Sequence, residues 1–188
     1  SIVDSNKKIL KRKITKKIIM VTGAGGSIGS ELCRHILLLK PKKLILFEMS
    51  ESSLYQIEQE LISLNHSNIE IFPVIGSVLD ELRMKCILEY YNIQTLYHAA
   101  AYKHVPLVEY NQSQGVLNNS IGTMVAAQAA INAKVETFIL ISTDKAVRPT
   151  NFMGVTKRIA ELILQSLSIT TSSTSFAMVR FGNVLDSS

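Results

Sequence analysis

The sequence predicts an α/β protein with a doubly wound parallel sheet. Short runs of β-branched and other apolar residues alternate with stretches whose apolar residues recur at helical spacing. A glycine-rich turn follows the first run and opens the first helix, and a proline lies inside the third run. Strands that alternate with helices need right-handed crossovers, and these crossovers produce a parallel sheet.

The pattern contains six strands. They are predicted at 18–22, 44–47, 69–75, 94–97, 137–142 and 176–181, with the last two helices near 112–133 and 152–167. Pro73 interrupts the third strand, and because proline lacks the ladder donor, this strand should lie at a sheet edge. The strand order 3-2-1-4-5-6 satisfies that requirement.

The third helix should begin after Asp80, which can cap it, and should carry Leu82, Cys86 and Tyr90 on its apolar face. Both cysteines, Cys33 and Cys86, are therefore predicted to be reduced core residues. This is typical of a cytoplasmic protein rather than a disulfide-bonded one.

Composition indicates a folded domain, since 47% of the 188 residues are hydrophobic and 19% are charged. No apolar stretch approaches the ~18 residues that span a bilayer, and the basic start does not resemble a signal peptide. No metal site is predicted.

The charge divides the chain into a basic leading segment, 1–17, and a single domain, 18–188. The segment contains seven basic residues and one acid, whereas the domain is close to neutral. We interpret the segment either as a solvated tail or as a stretch lying near an anionic cytoplasmic membrane face. Nucleic acid is not expected as a partner, because no aromatic platform or recognition motif accompanies the charge.

The glycine-rich turn predicts a Rossmann-type dinucleotide site. Gly23 allows the tight turn, Gly26 lets the backbone approach a pyrophosphate, and Gly29 lets the helix pack on the strand. The N–H groups of the first helical turn, which includes Ser27 and Ile28, should then face the phosphates.

Glu48, at the end of the second strand, predicts NAD rather than NADP. A carboxylate there accepts hydrogen bonds from the adenosine ribose and repels a 2′-phosphate. No arginine lies between Lys43 and Arg83. The alternative is that Glu48 caps the next helix. Further cofactor contacts are predicted at the adenine and at the nicotinamide ribose: Ser77, Val78, Ala99, Ala100 and Ala101.

Five segments carry a family resemblance. They are VTGAGGSIGSEL at 21–32, HAAAYKHVP at 98–106, ISTDKAV at 141–147, MGVTKR at 153–158 and RFGNVL at 180–185. Together they resemble the extended short-chain dehydrogenases/reductases, and within these the CapD/WbpM-type polysaccharide biosynthesis proteins, the nucleotide-sugar 4,6-dehydratases.

The resemblance implies a UDP-linked N-acetylhexosamine as substrate, most often UDP-N-acetylglucosamine, in the biosynthesis of surface polysaccharide. NAD would take a hydride from C4, and loss of the C5 proton and the C6 hydroxyl would give a 4-keto-5,6-ene. Return of the hydride to C6 would leave a 4-keto-6-deoxy sugar.

By the same resemblance, Asp144 is the acid that protonates the leaving C6 hydroxyl and Lys145 is the base at C5. Thr143, or with less support Ser142, supplies a hydroxyl near O4. Asp144 and Lys145 follow strand five, at the edge where open α/β sheets bind ligands. Without the motif, an Asp-Lys pair would be interpreted as a surface ion pair.

Met153 and Lys157 should share one helix face. The wider superfamily has tyrosine-x-x-x-lysine at this spacing, and the resemblance makes Met153 a marker of the branch and Lys157 the holder of the nicotinamide ribose. The thioether of Met153 cannot take the proton of the sugar hydroxyl, so Asp144 or the Thr143 hydroxyl must take part in that transfer. Taken alone, Met153 would be interpreted as an apolar residue packed in the core.

Lys103 and Asn183 are the predicted sugar-nucleotide contacts. The resemblance implies that the C-terminal substrate-binding region is largely missing from this chain, so we expect little turnover from it alone. It also implies a full-length protein with membrane helices upstream, at the cytoplasmic face of the inner membrane. A homo-oligomer is kept as an open alternative. A 4-epimerase and a catalytically silent NAD-binding module remain as alternatives.

Overall fold

Six strands form one parallel sheet in the computed structural model, which describes residues 13–182. The strands are β1 (Ile18–Thr22), β2 (Lys43–Glu48), β3 (Glu70–Ile75), β4 (Thr95–His98), β5 (Thr137–Thr143) and β6 (Ser175–Phe181). Their order across the sheet is β3-β2-β1-β4-β5-β6, and every neighbouring pair is parallel. The predicted order is confirmed, and Pro73 lies in an edge strand, in register with Leu46 of β2.

Helices connect the strands. They are α1 (Ser27–Leu38), α2 (Glu51–Leu64), α3 (Glu81–Tyr91), α4 (Val105–Tyr110), α5 (Gln112–Gly115), α6 (Gly122–Asn132) and α7 (Phe152–Thr170), with a π-helical turn at Val116–Ile121 and a 3-10 turn at Asp144–Ala146. The helix predicted near 112–133 is therefore interrupted by a π-helical turn. Within residues 13–182, every helix is too short or too polar to cross a bilayer.

Both faces of the sheet are buried. Successive residues of a strand point to opposite faces, so Ile19 and Val21 of β1 pack in the layer with α1 and α2. Met20 packs in the other layer, with α3, α6 and α7. Because helices cover both faces, the central strands are continuously apolar rather than alternating. The polar groups are therefore left to the ends of the strands.

The predicted apolar face of α3 is wrong. Met84 and Leu88 are buried in the core, whereas Leu82, Cys86 and Tyr90 are exposed. Two apolar stripes repeat every four residues along this helix, and the sequence pattern alone does not decide which of them meets the sheet. The path of the chain decides it, because Met84 and Leu88 join the same core cluster as the buried side chains of β1 and β2. Cys33, by contrast, is buried as predicted.

Candidate active site

A cleft of about 820 Å³ lies at the carboxyl ends of β1, β4 and β5. The glycine turn after β1 and the loop after β4 form one wall. The end of β5, the first turns of α7 and the end of β6 form the other. A smaller pocket of about 200 Å³ adjoins it and reaches over the ends of β2 and β3. This is the edge at which open α/β sheets bind their ligands.

The glycine turn brings the backbone close to the floor of the cleft. Gly23 has a positive φ of 66°, and a Cβ there would lie 2.7 Å from the backbone of Ala100. A methyl group on Gly29 would overlap the carbonyl oxygen of Gly23. Helix α1 begins after Gly26 without a side-chain cap, so no capping side chain takes up its first N–H groups. This geometry fits a bound diphosphate.

Glu48 holds the glycine turn in place. Its carboxylate accepts hydrogen bonds from the backbone N–H groups of Gly25 (3.1 Å), Met49 (2.8 Å) and Ser50 (3.0 Å). The cap of α2 is Ser50, whose side chain accepts from the N–H of Ser53, so the interpretation of Glu48 as that cap is wrong. Glu48 lines the smaller pocket, where a carboxylate can still accept from further hydroxyl groups.

The structure brings all the predicted cofactor residues together. Those that line the smaller pocket are Gly23, Glu48, Ser77, Val78 and Ala100; those in the main cleft are Ser27, Ile28, Gly29 and Lys157; and those shared by both are Gly26, Ala99 and Ala101. Their binding roles stay predictions.

The end of β5 forms a compact polar group. The Thr143 hydroxyl donates to Asp144 Oδ1 (3.0 Å) and accepts from the backbone N–H of Lys145 (3.3 Å). Lys145 Nζ lies 3.7 Å from the same carboxylate oxygen. The hydrogen bond from Thr143, followed by the charge of Lys145, holds the pKa of Asp144 below its usual value. Thr143 and Lys145 line the cleft, whereas the Asp144 side chain is 59% exposed.

Met153 and Lys157 lie on one face of α7, as predicted, and both line the cleft. Lys157 is almost fully buried, and its Nζ donates to the carbonyl of Ile141 at 2.7 Å. Burial lowers the pKa of Lys157 to about 8, against the opposing effect of the Glu161 charge. The ammonium therefore remains the major form at neutral pH.

Glu161 is a buried carboxylate that sequence reasoning missed. It accepts from the Ser142 hydroxyl (2.8 Å), from Arg158 (2.9 Å) and, through both oxygens, from Arg180 (2.8 Å each). The network ties α7 to the ends of β5 and β6 behind the cleft. An acid four residues after Lys157, on the apolar side of a helix, was the available signal. Because Ser142 is engaged here, Thr143 is the better candidate for the cleft hydroxyl.

A second missed residue, Asn119, holds the loop after β4. It lies in the π-helical turn, donates to the Tyr102 carbonyl (3.0 Å) and to Thr156 Oγ1 (3.0 Å), and accepts from the Tyr102 N–H (2.8 Å). In the same loop, Lys103 Nζ donates to Ser27 Oγ at 2.8 Å and lines the cleft. The predicted substrate contact Asn183 lies outside the described residues.

Substitution Glu161→Gln is expected to lower the free energy of unfolding by about 3 kcal/mol at neutral pH. Burial acts to raise the pKa of Glu161, but the hydrogen bonds from its partners outweigh it and hold this pKa at about 2, below the ordinary value of 4.5. A lowered pKa stabilises the folded state above 4.5, and this contribution is lost as pH falls towards 2. Urea unfolding between pH 2 and pH 7 measures it. Glu58→Gln on α2 is the control. If the free energy of unfolding of Glu161→Gln fell between pH 7 and pH 2 as much as that of the unsubstituted chain, the assignment would be refuted.

Comparison with known proteins shows the family to which the chain belongs. The model of a family described as polysaccharide biosynthesis protein matches residues 19–188. The chain belongs to this family. Its members are extended short-chain dehydrogenases/reductases, in agreement with the resemblance found in the sequence.

Curated relatives include both dehydratases and epimerases. The chain is 48% identical to the capsular polysaccharide biosynthesis protein CapD of Staphylococcus aureus, over 98% of this chain and 31% of CapD. It is 32% identical to a UDP-N-acetylglucosamine 4,6-dehydratase (inverting) of Campylobacter jejuni and 31% identical to a UDP-glucose 4-epimerase of Rickettsia typhi. Each of these two alignments covers 91% of this chain and 50% of the relative. The chain thus spans between 31% and 50% of the length of these relatives.

Solved structures show the same fold. Pen from Bacillus thuringiensis superposes with a TM-score of 0.85 at 35% identity, over 93% of this chain and 54% of Pen. A UDP-glucose 4-epimerase from Stenotrophomonas maltophila, solved with NAD and a formylated UDP-arabinopyranose, gives 0.76 at 20% identity, over 87% of this chain and 52% of that chain. At 20% identity the likeness shows the fold alone.

Proposed function

We propose that this chain is the NAD-binding part of a nucleotide-sugar 4,6-dehydratase that acts on a UDP-linked N-acetylhexosamine. The cofactor is supported by the glycine turn, where the positive φ of Gly23 and the tight contact at Gly29 leave room only for glycine. The uncapped start of α1 would hold the diphosphate. The buried ammonium of Lys157 would hold the nicotinamide ribose.

Glu48 supports NAD over NADP. Its carboxylate lines the pocket that adjoins the glycine turn, and a 2′-phosphate there would meet a negative charge. Calorimetry on the purified chain is expected to show at least roughly tenfold tighter binding of NAD, a difference of about 1.4 kcal/mol. Glu48→Gln keeps a hydrogen-bonding side chain of the same size and should erase much of the preference.

Two controls sharpen this measurement. Glu51→Gln removes a charge three residues away, on the exposed start of α2, and should leave the preference intact. Circular dichroism of Glu48→Gln checks that the turn is still folded, because the Gly25, Met49 and Ser50 N–H groups would lose a charged acceptor. Equal or reversed affinities in the unsubstituted chain would contradict the assignment.

The acid–base pair at the end of β5 carries the proposal of dehydration. Lys145 lines the cleft and lies next to Asp144. The position one helical turn before Lys157 is occupied by Met153, which cannot transfer a proton. When bound, NAD supplies reversible oxidation at C4 of the sugar. Elimination between C5 and C6 then needs a base at C5 and an acid at O6, and this pair provides one of each.

The hydrogen bonds suggest an order for the proton transfers. The lowered pKa of Asp144 keeps it ionised, so it must gain a proton before it can act as an acid. The O4 proton can reach it through the Thr143 hydroxyl, 3.0 Å away. Lys145, with its amine neutral, takes the C5 proton, and Asp144 gives its proton to the departing O6 as water. Lys145 then returns its proton to C5 as C6 regains the hydride. The protons balance, and a 4-keto-6-deoxy sugar results.

A 4-epimerase is the second candidate, favoured by the epimerases among the relatives. It needs no base at C5. Mass spectrometry and NMR of the product, after incubation of the complete protein with UDP-N-acetylglucosamine, test the choice. A nucleotide sugar lighter by one water supports dehydration, and a product of unchanged mass with inverted C4 supports epimerisation.

A further inference from the structure

Seven lysines lie at the end of the sheet opposite the cleft, and we call them the basic face. All seven lie at the amino ends of the strands. Six precede β1, β2 or β5, namely Lys13, Lys16, Lys17, Lys40, Lys42 and Lys134, and the seventh, Lys43, is the first residue of β2. Backbone hydrogen bonds join the first two loops, from Lys16 N–H to the Lys40 carbonyl (3.0 Å) and from Lys42 N–H to the Lys17 carbonyl (2.8 Å). Lys17 reaches the third loop by an ion pair with Glu136 (3.0 Å).

The excess positive charge of the described residues is concentrated on this face. Two glutamates accompany the seven lysines: Glu136 pairs with Lys17, and Glu70 pairs with Lys43 at 3.4 Å. The rest of residues 13–182 has nine basic and eleven acidic residues. The molecule therefore has a positive end and a slightly negative remainder.

Three of these lysines occupy backbone positions that do not suit them. Lys16, Lys40 and Lys134 have φ values of 60°, 55° and 55°, in the left-handed region that favours glycine or asparagine. At the equivalent loops before β3 and β4, the chain has Asn68 and Asn92 in that conformation. Lysine at such a position strains the backbone, so backbone conformation alone does not account for the choice of a cation at three of the five sites.

Apolar side chains project at the same end. Helices antiparallel to the strands end near the starts of the next strands, and their last turns expose Leu38 (75%), Tyr90 (77%) and Ile169 (86%). Compensation of helix dipoles would explain lysines there, but it does not explain protruding leucine and isoleucine. A nucleic-acid surface would favour arginine, whose guanidinium forms bidentate hydrogen bonds to phosphate. All seven basic residues of the face, by contrast, are lysines.

We propose that the basic face docks this domain on the headgroups of an anionic lipid bilayer, with Leu38, Tyr90 and Ile169 entering the interface. Lysines attract anionic headgroups, and exposed aromatic and aliphatic side chains at a basic surface add apolar contact with the interface. Docking through the amino ends of the strands would turn the carboxyl-end cleft away from the bilayer, open to water-soluble nucleotide sugars.

Co-sedimentation with vesicles tests the proposal. The purified chain is mixed with vesicles of phosphatidylcholine alone, or of phosphatidylcholine with one third phosphatidylglycerol. Binding is expected to the anionic vesicles, and it should fall steeply between about 0.1 M and about 0.5 M salt. The triple variant Lys16→Asn, Lys40→Asn, Lys134→Asn should bind about 100-fold more weakly, at about fivefold per lysine. Its melting temperature should be equal or higher, because asparagine suits the left-handed positions.

Two further variants isolate the face. Gln56→Glu, Gln59→Glu and Gln112→Glu change the net charge by the same amount at exposed positions outside the face, and should retain most of the affinity. Asparagine at Lys7, Lys8, Lys11 and Arg12 removes the basic residues of the leading segment that lie outside the face, and this variant should also retain most of the affinity. The proposal is overturned if the face variant binds like the unsubstituted chain, if the matched charge variant loses as much affinity, or if a DNA duplex at equal salt binds more tightly than the vesicles.

Discussion

Substitution Lys145→Ala in the complete protein is expected to lower the rate of dehydration by about 10²–10⁴-fold. Lys145 lines the cleft beside Asp144 and is the candidate for the C5 base. Without its amine the C5 proton stays in place, so exchange of the C5 hydrogen with heavy water should stop together with turnover. Product analysis and NMR of the recovered sugar measure the two effects.

Lys145→Arg separates a base from a charge. Arginine keeps the positive charge near Asp144 but is not deprotonated in proteins, so this variant should be as inactive as Lys145→Ala. Calorimetry should show unchanged NAD affinity in both variants. Normal C5 exchange in Lys145→Ala, or recovery in Lys145→Arg, would make Asp144 the base and Lys145 its electrostatic support.

Substitution Gly29→Ala is expected to destabilise the chain and to abolish binding of NAD. A methyl group there overlaps the Gly23 carbonyl oxygen, and Gly23 in turn packs on the backbone of Ala100. The Gly23 backbone cannot move without displacing a strand, and the Gly29 backbone cannot move without displacing the start of α1. Overpacking of this kind costs about 3 kcal/mol, which lowers the melting temperature of a chain this size by roughly 10 °C. Differential scanning calorimetry and an NAD titration measure both effects.

Gly182→Ala is the matched control for stability, because among residues 13–182 the nearest atom to its Cβ would be Asp144 Oδ2 at 3.8 Å, an ordinary contact. Its melting temperature should not change. If Gly29→Ala bound NAD as the unsubstituted chain does, the glycine turn would not be the diphosphate site.

The sequence predicted the sheet in full because its signals are local. Pro73 cannot donate to a ladder, and this determines an edge strand; the spacing of Gly23, Gly26 and Gly29 determines a turn. Both depend on residues close together in the chain. The predicted cofactor residues came together because strand ends in a parallel sheet share one edge.

Features that depend on distant contacts could not be predicted. Two apolar stripes of α3 fit the same spacing, and packing against the sheet selects Met84 rather than Cys86. Glu161 becomes recognisable as a structural carboxylate only when β6 brings Arg180 to it. Glu48 was expected to face a ligand, but its bonds to the backbone of the glycine turn depend on how two loops meet.

The most direct test of the proposed dehydration is the reaction of the complete protein with UDP-N-acetylglucosamine in heavy water. Lys145 would remove the C5 proton and return a deuteron exchanged with solvent. The account therefore predicts a 4-keto-6-deoxy product with one deuterium at C5, seen by NMR and mass spectrometry. A product that keeps its C6 hydroxyl, has inverted C4 and contains no deuterium at C5 would contradict it and establish an epimerase instead.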